Sequence, residues 1–215
     1  MRTPPLRSAW LRTVSSQLGN PRGVLGGLVA RRLNKNNRGI ATAAVSALGS
    51  LADAQVADIG FGGGVGLELM LTAAPDARVY GIDPSASMIE RARREFGDYL
   101  ASGRLSLDLA TMDQLPFGDG QLDAWISLNT VYFIDDLGPS LAELARVLAP
   151  DGVGVIGAAD PEWLGAQPFA QHGFTVRALA ELTSQIDSAG MTVERRTTAS
   201  DSPEHPYNLL ICRPR

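Results

Sequence analysis

The residues with the clearest chemical potential are the glycines of the segment DIGFGGGVG, at positions 58–66. Five of its nine residues are glycine, and the segment lies between a short apolar run and a helical pattern. Glycine permits backbone conformations with positive φ and lets a ligand approach the main chain. Dinucleotide-binding loops use the spacing Gly-x-Gly-x-x-Gly. That spacing fails here, because Val65 and Leu67 stand where the third glycine would have to be.

The spacing that does fit is Asp58-x-Gly60-x-Gly62-x-Gly64. A carboxylate ahead of the glycines would repel a pyrophosphate, but it suits an ammonium or sulfonium group. A second acid, Asp83, ends the next predicted strand in YGIDPSASMIERARR. A carboxylate at that place can accept hydrogen bonds from both hydroxyls of a ribose. It also suits the N-terminus of the helix that follows, and the two interpretations are compatible.

These residues fall at strand ends in an alternation of predicted strands and helices. Two helices are predicted near 24–34 and 38–49, and from AQVADI to YNLLICRP the pattern alternates strand and helix. This pattern includes one helix over SASMIERARREFGDYL and a strand over GVGVIGAA, which begins at Gly152. Such alternation predicts an α/β fold with a mostly parallel sheet covered on both faces. Ligands bind such sheets outside the carboxyl ends of the strands, and the glycine segment follows the first strand.

Composition indicates an ordinary globular protein. The 215 residues suffice for one domain with an appended segment, and 45% are hydrophobic and 20% charged. Because no long uninterrupted apolar run and no apolar leader are present, we expect no membrane span, no secretory signal and a cytoplasmic location. The single cysteine, Cys212, excludes an internal disulfide and a cysteine-based metal cluster, and it is predicted to be a small buried residue of the last strand.

Basic residues are concentrated at the N-terminus. Residues 1–50 carry eight basic residues and no acid, while the remainder holds 11 basic and 23 acidic residues. A basic arm can serve nucleic acid, an anionic membrane surface or an anionic substrate. We prefer the interpretation that it docks on the acidic body of its own chain. The chain has only one lysine, so nucleic acid is the less favoured partner.

Together these motifs resemble the class I S-adenosylmethionine (SAM)-dependent methyltransferases, in the small-molecule branch with a UbiE-like or methyltransferase type 11 core. TMDQLPFGDGQLDAWIS is similar to the family pattern D-A-x-x-L-P-F-x-D-x-x-F-D, and LAELARVLAPDGVGVIG is similar to L-x-E-x-x-R-V-L-x-P-G-G. The resemblance covers roughly residues 40–215. It implies a doubly wound, seven-stranded, mostly parallel sheet with an antiparallel last strand. It also implies a SAM-binding domain over 51–215 and a basic helical cap over 1–50.

The resemblance also implies how the cofactor is held. Asp58 would face the methionyl part of SAM, the glycines would cradle it through the backbone, and Asp83 would bind the ribose. Thr111 replaces the acid that contacts the adenine amino group in the family, and Asp113 is a possible substitute. The predicted cofactor-binding residues are Asp58, Gly60, Gly62, Gly64, Asp83, Pro84, Met88, Thr111, Met112, Asp113, Asn129 and Arg38. Arg38 is included because a guanidinium suits the carboxylate of SAM.

The acceptor side carries weaker signals. Asn129 and Tyr132, in ISLNTVYFIDD, lie where the family places residues that face both SAM and acceptor. The amino-group methyltransferases have Asn-Pro-Pro-Tyr there, but Thr130 and Val131 replace both prolines. Nucleobase or glutamine N-methylation is therefore not predicted. Tyr132 is a catalytic candidate that would orient an acceptor hydroxyl, and packing in the core is an equally good interpretation.

The general-base candidate is His172, in FAQHGF, where relatives line the acceptor pocket. Packing or capping a loop is the alternative for His172, and His205 is a weaker candidate in a predicted loop. No metal-ligand cluster is apparent, and in-line methyl transfer requires only positioning and exclusion of water.

The leading hypothesis is SAM-dependent methyl transfer to a small apolar or aromatic molecule by in-line displacement, with S-adenosylhomocysteine (SAH) as product. The alternatives are an RNA or protein methyltransferase that uses the basic arm, and a SAM-binding protein that transfers no methyl group. A nicotinamide-dependent oxidoreductase ranks last because the glycine spacing is wrong. The sequence makes no prediction of the oligomeric state.

Overall fold

The computed structural model describes residues 37–171, 173–198 and 206–215. The predicted helix near 24–34 and the two histidines, His172 and His205, lie outside the described residues. The strands are β1 (Gln55–Ile59), β2 (Arg78–Ile82), β3 (Leu105–Asp108), β4 (Leu122–Leu128), β5 (Leu148–Ala159), β6 (Met191–Thr198) and β7 (Tyr207–Pro214).

Helices alternate with these strands, as the pattern predicts. The first, α1, is described from 37 and ends at 47. The others are α2 (Val65–Ala73), α3 (Ala86–Glu95), α4 (Gly97–Ala101), α5 (Gly138–Val147), α6 (Pro161–Gly165) and α7 (Leu179–Ser188). Short 3₁₀ turns occupy Val131–Phe133 and Pro168–Gln171. None of the helices in these ranges combines the length and apolarity that a membrane crossing needs.

The strands form one seven-stranded sheet in the order β3-β2-β1-β4-β5-β7-β6. Neighbours from β3 to β5 are parallel, whereas β7 runs antiparallel to both β5 and β6. The chain winds outward from β1 to β3 and then returns to β4 on the other side of β1. Sheets of this topology bind ligands in the crevice outside the carboxyl ends of the strands at such a reversal, here β1 and β4. The doubly wound sheet with an antiparallel last strand is confirmed.

The core lies on both faces of this sheet, which is why its central strands are almost continuously apolar. Trp125 of β4 is fully buried, and its Nε1 donates to the carbonyl of Leu144 at 3.2 Å. Ile40 of α1 packs in the same core, where a β-carbon at Gly157 of β5 would lie 3.0 Å from its Cδ1. The predicted helix near 38–49 is thus confirmed as α1, and it joins the packed body. Cys212 is buried in β7, as predicted.

Two element boundaries were predicted wrongly. The helix expected over SASMIERARREFGDYL divides at Phe96, where φ is −113° and ψ is 28°, so that α4 follows α3 after a break. Strand β5 begins at Leu148 rather than at Gly152, because Leu148 already pairs with Leu122 ahead of a register shift. In both places a tertiary contact decides the local structure: the ring of Phe96 is buried, and Leu148 belongs to the sheet.

An arginine network fixes the segment between β3 and β4. Arg146 donates to the carbonyl of Phe117 at 2.8 Å and pairs with Asp119 and Glu143, both at 2.7 Å. The carboxylate of Glu143 also accepts the N–H of Leu115 at 2.8 Å. Side chains of helix α5 therefore hold this segment, mostly through bonds to the backbone of the segment. These bonds in turn position the residues at the carboxyl end of β3.

Candidate active site

The turn between β1 and α2 has left-handed backbone conformations at alternate residues. The φ angles of Gly60, Gly62 and Gly64 are 78°, 49° and 84°. The N–H of Gly60 donates to the carbonyl of Ile82 at 2.7 Å, and the N–H of Gly64 donates to that of Phe61 at 2.8 Å. Residues with a β-carbon are strained at positive φ, so the turn itself requires glycine at these positions.

The three glycines face different neighbours. A β-carbon at Gly60 would lie 2.3 Å from Cγ2 of Thr130, and one at Gly64 would lie 3.0 Å from the ring of Phe96. A β-carbon at Gly62 would meet nothing closer than the carbonyl oxygen of Gly60, at 3.9 Å. Two of the glycines thus make room for side chains of their own chain, and Gly62 faces open space. Direct ligand contact at the three glycines stays a prediction, and Gly62 has the best geometry for it.

Asp83 holds this turn against the end of β2. Its Oδ2 accepts the N–H of Gly62 at 2.8 Å, and its Oδ1 accepts the N–H of Ser85 at 2.9 Å. The side chain is 6% exposed, and burial raises the pKa of its carboxyl although the two N–H donors oppose the rise. Each oxygen of an ionised carboxylate has a second lone pair. Asp83 can therefore accept further hydrogen bonds from a ligand.

Asp58 is buried beneath the first turn of α2. It is 3% exposed, and a β-carbon at Gly66 would lie 2.2 Å from its Oδ2. The backbone N–H of Leu67 donates to its carboxyl group. Burial and the negative charge of Asp83 raise the pKa of Asp58 to about 8. Asp58, which was predicted to face a cation, is thus buried close to a second acid, Asp83.

The residues predicted for the adenine side lie at the ends of β2 and β3, but they differ in exposure. Met88 and Met112 are buried, whereas Pro84, Thr111 and Asp113 are exposed. The two methionines therefore belong to the hydrophobic core, and their contact with adenine stays a prediction.

Sequence reasoning missed Leu109, which follows β3 directly. Its side chain is 60% exposed, the largest exposed fraction among the large apolar residues that the structure describes. The N–H of Asp83 donates to the carbonyl of Asp108 at 3.3 Å, so Leu109 follows a residue that contacts the ribose candidate. An apolar residue directly after a strand end, in LDLATMD, was the available signal.

A chain of hydrogen bonds crosses the ends of β4, β5 and β7. Asn129 has a φ of 59°, and its Oδ1 accepts the hydroxyl of Tyr132 at 2.7 Å. The hydroxyl of Tyr132 accepts the N–H of Ala159 at 2.6 Å. Asn129 also bonds Tyr207, whose hydroxyl donates to Oδ1 of Asn37 in α1 at 3.4 Å. Tyr207 was not predicted, because its sequence position gives no hint that it meets Asn129.

The hydroxyl of Tyr132 both donates and accepts a hydrogen bond within this chain of bonds. Tyr132 is 7% exposed, and burial raises the pKa of its phenol above the ordinary value. It is therefore a neutral phenol at physiological pH that donates to Asn129 and accepts from Ala159. Its predicted role in orienting an acceptor hydroxyl stays a prediction and would require one of these bonds to be exchanged.

We expect Tyr132→Phe to lower the free energy of unfolding by about 1–3 kcal/mol, since the buried N–H of Ala159 loses its acceptor. Tyr80→Phe is the matched control, because the hydroxyl of Tyr80 donates to the side chain of Gln55, at 3.0 Å, in a half-buried position. Urea denaturation of the two variants measures the difference. Equal losses of unfolding free energy in the two variants would show that the hydrogen bond to Ala159 contributes no more than the bond between Tyr80 and Gln55.

Aromatic rings form a wall next to this network. The ring of Phe174 stacks on Tyr132 with centroids 5.9 Å apart and meets Phe133 at 4.8 Å. Phe133 is 37% exposed, so the wall presents apolar surface to solvent. Phe174 lies two residues after His172, the general-base candidate, and the role of His172 stays a prediction.

Arg177 clamps the two segments that carry the wall. Its guanidinium donates to the carbonyls of Val131 at 2.9 Å, Ile134 at 2.7 Å and Asp135 at 2.5 Å. The N–H of Thr175 also donates to the carbonyl of Tyr132 at 2.8 Å. These hydrogen bonds therefore tie the segment after β4 to the segment before α7.

Arg38 is engaged elsewhere in this structure. Its guanidinium forms a two-bond pair with Glu68 of α2, both at 3.0 Å, and both side chains are about half exposed. The predicted contact of Arg38 with the cofactor carboxylate stays a prediction and would require exchange of this pair. Within the described ranges, no group of three or more His, Cys, Asp or Glu residues is placed to hold a metal ion.

Comparison with known proteins agrees with this geometry. Residues 57–156 match a family model described as "Methyltransferase domain". The chain is 34% identical over 114 residues to the ubiquinone/menaquinone biosynthesis C-methyltransferase UbiE of Citrifermentans bemidjiense, a match that covers 53% of this chain and 48% of that protein. The first three curated relatives are matched over only 29–48% of their own length.

Solved structures share the fold. Geranyl diphosphate C-methyltransferase from Streptomyces coelicolor, in complex with Mg²⁺, geranyl diphosphate and SAH, superposes with a TM-score of 0.71 at 16% identity, covering 93% of this chain and 86% of that one. A SAM-dependent methyltransferase from Aquifex aeolicus gives a TM-score of 0.70 at 18% identity, covering 86% of this chain and 97% of that one.

Proposed function

Because residues 57–156 form a class I SAM-dependent methyltransferase domain, we propose that the protein transfers a methyl group from SAM to a small apolar or aromatic molecule. The observation that carries the proposal is the cradle at Gly62 and Asp83. There, a glycine that faces open space is bonded to a carboxylate whose oxygens can accept further hydrogen bonds. The chain adds an apolar wall on the acceptor side of the same crevice.

The residues of the crevice fit SAM. Asp83 offers two acceptor oxygens for a ribose, and Leu109, which is 60% exposed, offers apolar surface for an adenine. Asp58 and Asp83 provide the negative charge that suits a sulfonium and an ammonium. SAM supplies an electrophilic methyl group when it is bound. The fit is best for the ribose, because the orientation of Asp83 is fixed by two backbone donors.

On the acceptor side, the chain's task is to orient the acceptor and exclude water. Phe133 and Phe174 form a surface on which a planar or apolar molecule can pack, and Arg177 keeps that surface in place. Asn129 bonds Tyr132, on which Phe174 stacks, and the next residue, Thr130, lies against Gly60 of the glycine turn. His172 remains the proposed general base for an acceptor that must lose a proton.

We propose that residues 1–50 act as a basic cap over the crevice. Support comes from α1, the part of this segment that the structure describes. Asn37 bonds Tyr207 at the end of the sheet where the crevice opens, and Ile40 packs beside Gly157. Residue 37, the first that the structure describes, therefore lies at this end of the sheet, where a cap would exclude water.

Calorimetric titration of SAH into the folded protein tests the cofactor site. We expect binding with a dissociation constant in the micromolar range, about −8 kcal/mol. Incubation with methyl-labelled SAM and a panel of small phenols, quinols and apolar alkenes then tests transfer. A folded protein that fails to bind SAH would overturn the proposal. Binding of SAH without transfer to any acceptor, RNA and protein included, would indicate a SAM-binding protein without methyltransferase activity.

A further inference from the structure

Two carboxyl groups lie buried against the same glycine turn. Asp58 is 3% exposed and Asp83 is 6% exposed. Their hydrogen-bond donors are the neutral backbone amides of Leu67, Gly62 and Ser85. Among the residues that the structure describes, no cation forms an ion pair with either carboxyl group. The turn thus holds two acids without a counter-charge.

In the described ranges, the elements around this pair add no free cation. Helix α2 contributes Glu68, which is already paired with Arg38 at the surface. Strand β4 presents Ile126 to Gly66 and Asp58. Strand β3 ends at a third acid, Asp108, whose backbone oxygen accepts the N–H of Asp83. Asp83 is the one charged group that contributes to the raised pKa of Asp58.

Two carboxylates in a buried site cannot both ionise at low cost unless a cation joins them. The pair therefore retains a proton near neutral pH while no ligand is bound, in keeping with the raised pKa of Asp58, about 8. A positive charge placed at the turn makes the second ionisation favourable, and the proton then leaves to solvent.

We infer that the Asp58–Asp83 carboxyl pair senses the charge on the sulfur of the cofactor, so that the sulfonium of SAM displaces more of the proton that the pair retains than the uncharged thioether of SAH does. The inference rests on the proposed function, which brings both compounds to this turn. SAM and SAH carry the same ammonium and carboxylate groups. A difference in proton release that is lost in Asp58→Asn therefore reports the response of the carboxyl pair to the sulfonium.

The pair makes the preference between substrate and product depend on pH. Below the raised pKa, SAM binding must drive off the proton, so its affinity falls as pH falls, by at most about tenfold per pH unit. The affinity for SAH changes less, because SAH displaces less of the proton. The ratio of the SAH to the SAM dissociation constant therefore rises with pH and levels off once the pair is ionised without ligand.

Calorimetry on the full chain tests this inference. SAM and SAH are each titrated at several values between about pH 6 and 8, in phosphate and in Tris, whose ionisation enthalpies differ. We expect the buffer dependence to report release of about 0.5–1 proton with SAM and a clearly smaller fraction with SAH. The ratio of the two dissociation constants should rise by about three- to tenfold over this range.

Asp58→Asn is the informative variant, because it keeps an oxygen for the N–H of Leu67 and removes the titrating proton. We expect it to abolish the difference in proton release and to flatten the pH dependence of the ratio. Equal proton release by SAM and SAH in the unmodified protein would overturn the inference, and that measurement stands even if the variant does not fold. Absence of SAH binding at every pH would instead refute the proposed function.

Discussion

Asp83→Ala is expected to weaken SAH binding by about 1–3 kcal/mol, a loss of roughly 5- to 150-fold in affinity. The substitution removes the two acceptor oxygens proposed for the ribose. It also frees the N–H groups of Gly62 and Ser85, which Asp83 holds at 2.8 and 2.9 Å. The cradle therefore loses both a ligand contact and the bond that fixes its shape. Calorimetric titration of SAH measures the loss.

Asp76→Ala is the matched control, since Asp76 is an exposed acid just before the opposite end of β2. It removes the same charge at a distance from the cradle and should leave SAH affinity unchanged. Asp83→Asn adds a second comparison, because an amide can still accept one of the two N–H bonds. A folded Asp83→Ala protein with the affinity of the unmodified one would show that the adenosine group lies elsewhere.

Gly60→Ala is expected to lower the free energy of unfolding by roughly 2–5 kcal/mol. A left-handed backbone costs a residue with a β-carbon about 1–2 kcal/mol, and φ at Gly60 is 78°. Overpacking adds about 1–3 kcal/mol, because the new methyl group would lie 2.3 Å from Cγ2 of Thr130. Urea denaturation, with an unchanged dependence on denaturant concentration, measures the sum.

Two further variants separate the backbone cost from the steric cost. Gly49 has a φ of 81°, and a β-carbon added there would meet nothing within 4 Å, so Gly49→Ala should show the backbone cost alone. Thr130→Ser removes the clashing methyl group and keeps the hydroxyl that bonds Ser127 at 2.6 Å. When Thr130→Ser is combined with Gly60→Ala, the double variant should regain the part of the free energy of unfolding that the steric clash removes. A Gly60→Ala variant as stable as Gly49→Ala would mean that Thr130 moves aside freely.

The topology and the place of the crevice could be predicted from the sequence because they depend on local periodicity. Alternating strands and helices indicate a parallel sheet, and in such a sheet the turn that follows the first strand lies at the crevice. Asp83 could be located in the same way. Its two backbone hydrogen bonds follow from its position just after β2, beside that turn.

What the sequence could not reveal are contacts between distant segments. The glycine spacing does not distinguish a glycine that faces a ligand from one that faces Thr130 or the ring of Phe96. The helix break at Phe96 has the same origin, since burial of the ring overrides a good helical pattern. The bond between Asn129 and Tyr207 joins β4 to the last strand and leaves no mark on either local sequence.

The clamp formed by Arg177 has a consequence for how this protein can change over evolutionary time. All three of its partners are main-chain carbonyls, those of Val131, Ile134 and Asp135. The side chains of Phe133 and Ile134, which are not buried, can therefore be exchanged without loss of these bonds to the main chain. New specificities can arise there by point substitution while the cradle at Gly62 is left intact. For directed evolution, positions 133 and 134 are where a library would be placed, with Tyr132 and Arg177 held constant.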